Sequence, residues 1–281
     1  MVRELTNAEL QLAAGGYQQV EFPPVVVTGT RLQNTFSAAD LQLIFSEFNR
    51  DTGKGDEQYD SADPTGPDDG MDDQTRQFLE SQPEFLKLPT ALQEIVLNSP
   101  SATAAFAQFF AQGGTINGVA MSGAQYWDGN PPRIDINQSL LSSALAAQAS
   151  GNADNAQYYS RQLAGLLAHE VGHFMTDHLD WDTSGNLNEY IIYRTRLESL
   201  AIFAGLQMTQ EMGVMPPHGY ASPLNQYDLY QQYLQNGDWN ATMNTIDSWV
   251  RNFGWSGGAD ANGDGVVNQV DRYTSQYPGG G

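Results

Sequence analysis

The chain contains no cysteine. Disulfides and thiolate ligands are therefore excluded, and any metal must be held by imidazole, carboxylate or carbonyl oxygen. Basic residues are scarce as well. Twelve Lys and Arg face 33 Asp and Glu, for a formal charge of −21. That balance lacks the positive footprint that phosphates require, so no nucleic-acid partner is expected. No run approaches the roughly 18–20 apolar residues of a membrane span, and none is expected. The first thirty residues also lack the apolar stretch, roughly 7–15 residues long, of a secretory signal peptide. Histidine is rare too, with four in 281 positions, which makes its spacing informative.

What is present suffices for one good-sized domain with appendages, and 40% hydrophobic residues can build a packed core. Residues 1–16 read as a short amphipathic segment that stops at Gly15-Gly16. Residues 17–73 read as a linker and an acidic Asp-, Gly- and Pro-rich segment with one amphipathic helix over 37–50. Its place before the main domain fits a pro-region. That domain is expected over 74–255, with a loop-rich tail over 256–281. Two or three short helices are predicted over 74–98, then a helix with Ser99 as cap, Pro100 at its first position and Gly113 as its stop. The 115–137 stretch looks like strand, turn, strand, with "DGNPP" as the turn. Helices follow at about 138–150, 154–176, 187–212 and, with breaks, 224–251. The fold class is α+β: mostly helical, with a small β-sheet forming one wall of a cleft.

The chemistry is carried by "LAGLLAHEVGHFM", residues 163–175, which contains His169-Glu170-Val171-Gly172-His173. Residues four apart share a helix face, so both imidazoles can address one ion. Glu170 projects about 100° away, at ~3.6 residues per turn, and can reach a metal-bound water without becoming a ligand. Leu163, Leu166, Leu167 and Phe174 supply an apolar helical stripe. Gly165 and Gly172 lie on one side and would let another element approach closely. The HExxH pattern resembles the zinc helix of the zincin metallopeptidases. "PPRIDIN", residues 131–137, is similar to the edge strand that zincins lay beside an extended substrate. The resemblance implies a zincin-like metallopeptidase domain with its sheet beside the zinc helix, acting on a protein or peptide substrate.

A catalytic zinc normally takes three protein ligands and a water. His178, Glu189, Glu198 and nearby aspartates are candidates for the third. The metzincin extension needs glycine and histidine where Thr176 and Leu179 stand, which excludes that branch. Glu198 lies in a largely apolar stripe with Ile191, Thr195, Ala201, Ile202 and Gly205. A carboxylate there is costly unless bound to a cation or hydrogen-bonded, as expected of a gluzincin-type ligand on a second helix. Pairing with Arg194 or Arg196 is the other use for it. Glu189 is the runner-up, because "NE" at 188–189 resembles the start of a gluzincin helix motif, although Tyr193 stands where that motif has Asp. Zinc would lower the pKa of its water toward ~7 and polarise the scissile carbonyl. Glu170 would take the proton and pass it to the leaving amine. His218 and Tyr220, in "MPPHGY", are expected as donors to the developing oxyanion, with Tyr193 as a further option.

"DANGDGVVNQVD", residues 260–271, follows the order of a twelve-residue calcium loop. Asp260, Asn262 and Asp264 take positions 1, 3 and 5, and Gly265 the sharp turn. Val266 offers its carbonyl, Asn268 stands at position 9 and Asp271 at position 12. The pattern resembles the calcium loops of dockerin-type modules. Those carry two loops where only one is present here, so a calcium site is expected and not a dockerin partner.

"LTNAELQLAAGG", residues 5–16, resembles the double-glycine leaders of bacterial exported peptides in Leu5, Thr6, Glu9, Leu10, Gly15 and Gly16. Ala13 stands where the family has a larger apolar residue. The resemblance implies removal by a peptidase-containing exporter directly after Gly16, leaving Tyr17 as the mature N-terminus. Together these readings describe a secreted bacterial zinc metallopeptidase, a monomer with Zn2+ and Ca2+, deployed as a toxin or effector. Two alternatives stay open. One is a calcium-stabilised extracellular binding or adhesion protein on a silent zincin scaffold. The other is an amidase acting on a cell-wall peptide crosslink.

Overall fold

The structure is a computed structural model that describes residues 70–176, 186–217, 219–256 and 258–278. The expected leader over 1–16, the linker and acidic segment through residue 69, and the candidates His178 and His218 lie outside the described residues.

Helices α1 (Gly70–Glu80), α2 (Pro83–Leu86), α3 (Thr90–Leu97) and α4 (Pro100–Ala111) open the domain. The cap expected for α4 is realised. Ser99 Oγ accepts from the Ala102 amide at 3.1 Å, and Pro100 occupies a first-turn position whose amide has no helical acceptor. Ser99 also donates to Glu211 at 2.7 Å. That bond ties the start of α4 to the end of α7 (Leu187–Glu211).

Three strands follow: β1 (Thr115–Val119), β2 (Ala124–Trp127) and β3 (Arg133–Asn137). Their order is β1-β3-β2, with β1 parallel and β2 antiparallel to β3. Two expectations are corrected here. The stretch holds three strands instead of two, and "PPRIDIN" forms the centre of the sheet instead of its edge. Alternation of Ile134 and Ile136 with polar neighbours reports one buried face. Central and edge strands share that signature, and here the second face is covered as well, since Asp135 is also buried. Both isoleucines are indeed fully buried, and β2 is the edge strand beside the motif helix.

The remaining helices are α5 (Gln138–Ala149), α6 (Ala153–Thr176), α7, α8 (Pro223–Asn236), α9 (Trp239–Asn252) and α10 (Gln269–Gln276). The first five match the periodicity to within a residue or two. The last adds one short helix to the loop-rich tail. Asn268 and Asp271 form a reciprocal capping box that starts α10, so residues read as calcium ligands also nucleate a helix. The described chain is thus mostly helical with one small sheet.

Helix α6 runs through the core. Leu163, Leu167 and Val171 are fully buried against a cluster that includes Phe106 and Phe109 of α4 and the β3 isoleucines. Leu166 is only half-buried. Each large apolar side chain removed from water contributes roughly 1.5–3 kcal/mol, which sets α6 firmly between sheet and helices. No described helix is long and apolar enough to cross a membrane.

Candidate metal centre

Two helices build the site. The i, i+4 spacing puts His169 and His173 on one face of α6, with ring centroids 4.8 Å apart. Opposite them, α7 presents Glu198. Its Oε1 lies 3.1 Å from His169 Nε2, and its Oε2 lies 3.4 Å from His173 Nε2. Such proximity requires backbones closer than ordinary side chains allow. A Cβ on Gly172 would stand 2.5 Å from the Ala201 carbonyl oxygen, and one on Gly205 3.3 Å from His169 Cα. The glycines therefore let α6 and α7 touch. Gly165, expected to serve the same approach, instead admits the chain at Met215, just past α7.

One ligand atom from each of His169, His173 and Glu198 falls within 4.8 Å of the others, so the group could hold a metal ion. Among the described residues it is the single group of His, Asp and Glu gathered this way. Glu198 does not pair with its neighbouring arginines. Arg196 binds Asp247 at 2.9 Å, and Arg194 lies over the Tyr273 ring. Glu189, the runner-up ligand, accepts from the Asn186 amide at 3.0 Å in the capping box of α7. The "NE" signal is thus a helix start.

The ionisation of the group follows from its surroundings. Burial would lower the pKa of His169, but the hydrogen bond to Glu198 and the charges of Glu170 and Glu198 outweigh it and raise it to about 8. Burial would raise that of Glu198. The His173 charge and the hydrogen bonds from both imidazoles reverse this and hold the carboxyl well below its usual range.

Glu170 is buried beside the two imidazoles, and its Oε2 accepts from the Tyr126 amide of β2 at 2.7 Å. The Tyr126 ring lies nearly parallel to His173, with centroids 6.5 Å apart. Sequence reasoning missed Tyr126. The alternation in "AQYW" was the available signal for an edge strand there. Tyr220 does reach the site, close enough for the Glu198 charge to act on its phenol. Burial, then the Glu198 charge, pushes this phenol well above its usual pKa.

The 260–271 loop closes on its own backbone. Asp260 accepts from the amides of Gly263, Asp264 and Gly265 at 2.7–3.1 Å. Asn262 bonds with Asp264, and Asp264 accepts from Val266 at 2.8 Å. Gly265, placed at the sharp turn from its position in the loop, has a φ of 87°. Asp271 is fully buried and accepts from Ala261, Asn262 and Asn268, while Asn268 accepts from Val270. Asp260, Asp264 and Asp271 do not gather into a second metal group.

No protein-family model, curated protein or solved structure matches the chain, so what this site can do is argued from its own geometry.

Proposed function

We propose that this protein is a zinc-dependent metallopeptidase with a zincin-like domain and a gluzincin-like ligand set. One observation carries the reading: two imidazoles on adjacent turns of α6 face a carboxylate on α7, with a second carboxylate held beside them by a strand amide. One donor atom from each residue lies within 4.8 Å of the others, with Oε1 3.1 Å from His169 Nε2 and Oε2 3.4 Å from His173 Nε2, a spacing that one small ion can bridge. Two nitrogens and one carboxylate oxygen, with no thiolate available, suit zinc.

His169, His173 and Glu198 would hold the zinc, which would supply Lewis acidity to a water and to the carbonyl under attack. Glu170 acts as the base. The Tyr126 amide fixes one of its oxygens, which orients the carboxylate toward the site and keeps it out of the ligand set. The proton it takes is then passed to the leaving amine. Tyr220, whose phenol lies in the field of the Glu198 charge, is the candidate donor to the developing oxyanion, in company with His218.

The 260–271 loop is proposed as a calcium site, supported by the oxygen order at positions 1, 3, 5, 9 and 12 and by the turn at Gly265. Secretion from a bacterium through a peptidase-containing exporter is proposed on the Leu5–Gly16 leader pattern.

The test offers casein and peptidoglycan side by side to the full chain after leader removal. Chelator-sensitive hydrolysis is expected, falling about 10²–10⁴-fold in Glu170→Gln while bound zinc is retained. A purified chain that takes up no zinc, or a Glu170→Gln variant with full activity, would overturn the proposal. Cleavage of peptidoglycan alone would assign the same chemistry to a cell-wall amide.

A further inference from the structure

Arg161, Gly165, His169 and His173 follow one another along α6 at intervals of four, so each stands about one turn from the next. The last two belong to the metal group. The first two hold the chain that leaves α7. That helix ends at Gly213, whose φ of 62° is left-handed and whose amide closes on the Gln210 carbonyl at 3.0 Å. The carbonyls of residues 213, 214 and 215 are then each engaged from another helix. Gly213 accepts from the Arg161 guanidinium of α6, and Val214 accepts from the Tyr227 hydroxyl of α8. The Met215 carbonyl lies in the notch over Gly165, where a Cβ would stand 2.5 Å from its oxygen.

A surface connection can leave its carbonyls to water. This one has three in succession fixed by side chains or by close packing, and Val214 between them is buried. Pro216 and Pro217 come next, and their rings lock φ at both positions. The strap of residues 213–217 is therefore pinned at one end and stiff at the other. It delivers the chain directly to His218 and Tyr220. The Tyr220 ring then rests edge-on against Phe253, with centroids 4.7 Å apart.

Resting on the metallopeptidase reading above, we propose that Arg161, Gly165 and Tyr227 are positioning residues for the oxyanion donors His218 and Tyr220. An oxyanion donor works only if it is already aimed when charge develops. Here the strap that carries the donors is seated on the run of α6 that leads into His169 and His173, so ligands and donors are referred to one helix. Gly165 bears most of this role. A Cβ there must open a 2.5 Å approach to the 3.4 Å of ordinary contact, a displacement of about 1 Å. Leu163, Ala164, Leu167 and Ala168 hold α6 in the core on either side, so the movement falls on the strap. A misplacement of about 1 Å at a reacting centre lowers the rate by about 10²-fold.

The test takes three measurements on the full chain after leader removal. They are kcat/KM on a cleaved peptide, zinc affinity by competition with a chromophoric chelator, and affinity for a phosphinic peptide. The last carries a tetrahedral oxyanion of the kind the donors would meet. Gly165→Ala should lose about 10²-fold in kcat/KM and in phosphinic affinity, with zinc affinity unchanged. Tyr227→Phe, and Arg161→Gln at the exposed start of the run, should each lose about 3–10-fold in the same two quantities, as expected for one hydrogen bond. In a His218→Ala, Tyr220→Phe background, Gly165→Ala should change phosphinic affinity less than about threefold, because the groups it aims are gone. An equal loss in both backgrounds would overturn the positioning role, and so would a fall in zinc affinity that matches the fall in kcat/KM. Unchanged phosphinic affinity in all three single variants would overturn it too. A wild-type chain that binds zinc but neither cleaves peptide nor holds the phosphinic peptide would instead overturn the metallopeptidase reading, and this inference with it.

Discussion

Zinc affinity at His169, His173 and Glu198 should fall steeply as the pH drops from 8 to 6. A ligating imidazole must be unprotonated, so each proton it holds competes with the metal. His169 has its pKa raised to about 8, because its bond to Glu198 and the charges of Glu170 and Glu198 outweigh the effect of burial. About half of this ring is unprotonated at pH 8 and about 1% at pH 6, which weakens apparent affinity roughly 50-fold through His169 alone. Two imidazoles both at the ordinary value of about 6.5 would together give roughly 16-fold. Glu198, held well below its usual range, stays ionised throughout and adds nothing. The same proton has the opposite effect on the metal-free fold. A histidine whose folded pKa is raised stabilises the fold fully below pH 6.5 and loses that contribution as the pH rises through about 8. The rise is worth about 2 kcal/mol. Competition titrations at pH 6, 7 and 8 against a chelator of known pH dependence measure the affinity. A change of about 16-fold or less would refute the coupling drawn between His169 and the two carboxylates.

Gly172→Ala should cost about 1–3 kcal/mol in a urea melt, since its Cβ would stand 2.5 Å from the Ala201 carbonyl. It should also weaken zinc more than Gly165→Ala, whose Cβ meets the Met215 carbonyl beyond the end of α7 and not the helix that carries Glu198. Leu167→Ala, at a fully buried position of α6, should destabilise by about 2–5 kcal/mol with no change in the metal ligands themselves. Millimolar calcium should raise the melting temperature of the wild-type chain and not that of Asp264→Asn, and a wild-type melt indifferent to calcium would count against the loop as a cation site. The exported protein should begin at Tyr17, and mass spectrometry showing any other N-terminus would contradict the leader reading.

Local chemistry made much of the fold legible. Ser99, Pro100 and Gly113 bound α4 because capping and turn preferences act over three or four residues. The stripe of Leu163, Leu167 and Phe174 marks α6 because helical period is itself local. Glu198 was within reach of the same logic, since a carboxylate in an apolar stripe demands a partner, and its partners proved to be the two histidines. Glu189 shows the limit of that logic. Its letters fit a ligand motif as well as a capping box, and only the bond to the Asn186 amide separates them. The place of β3 was illegible for a similar reason. Its alternation describes which face is buried, while β1 on its far side is a matter of long-range pairing.

The sequence by itself determined that two imidazoles would share a helix face with a carboxylate between them, because 3.6 residues per turn allows nothing else at that spacing. It also determined that no thiolate could join them. The tertiary structure decided that the chosen carboxylate actually meets the two histidines, by bringing α7 against Gly172. It decided as well that Glu170 is held by a strand amide, and that the last helix of the domain stands behind Glu198. Those three outcomes depend on contacts between residues 25 to 87 positions apart, where loop closure and core packing, rather than local preference, select the partner.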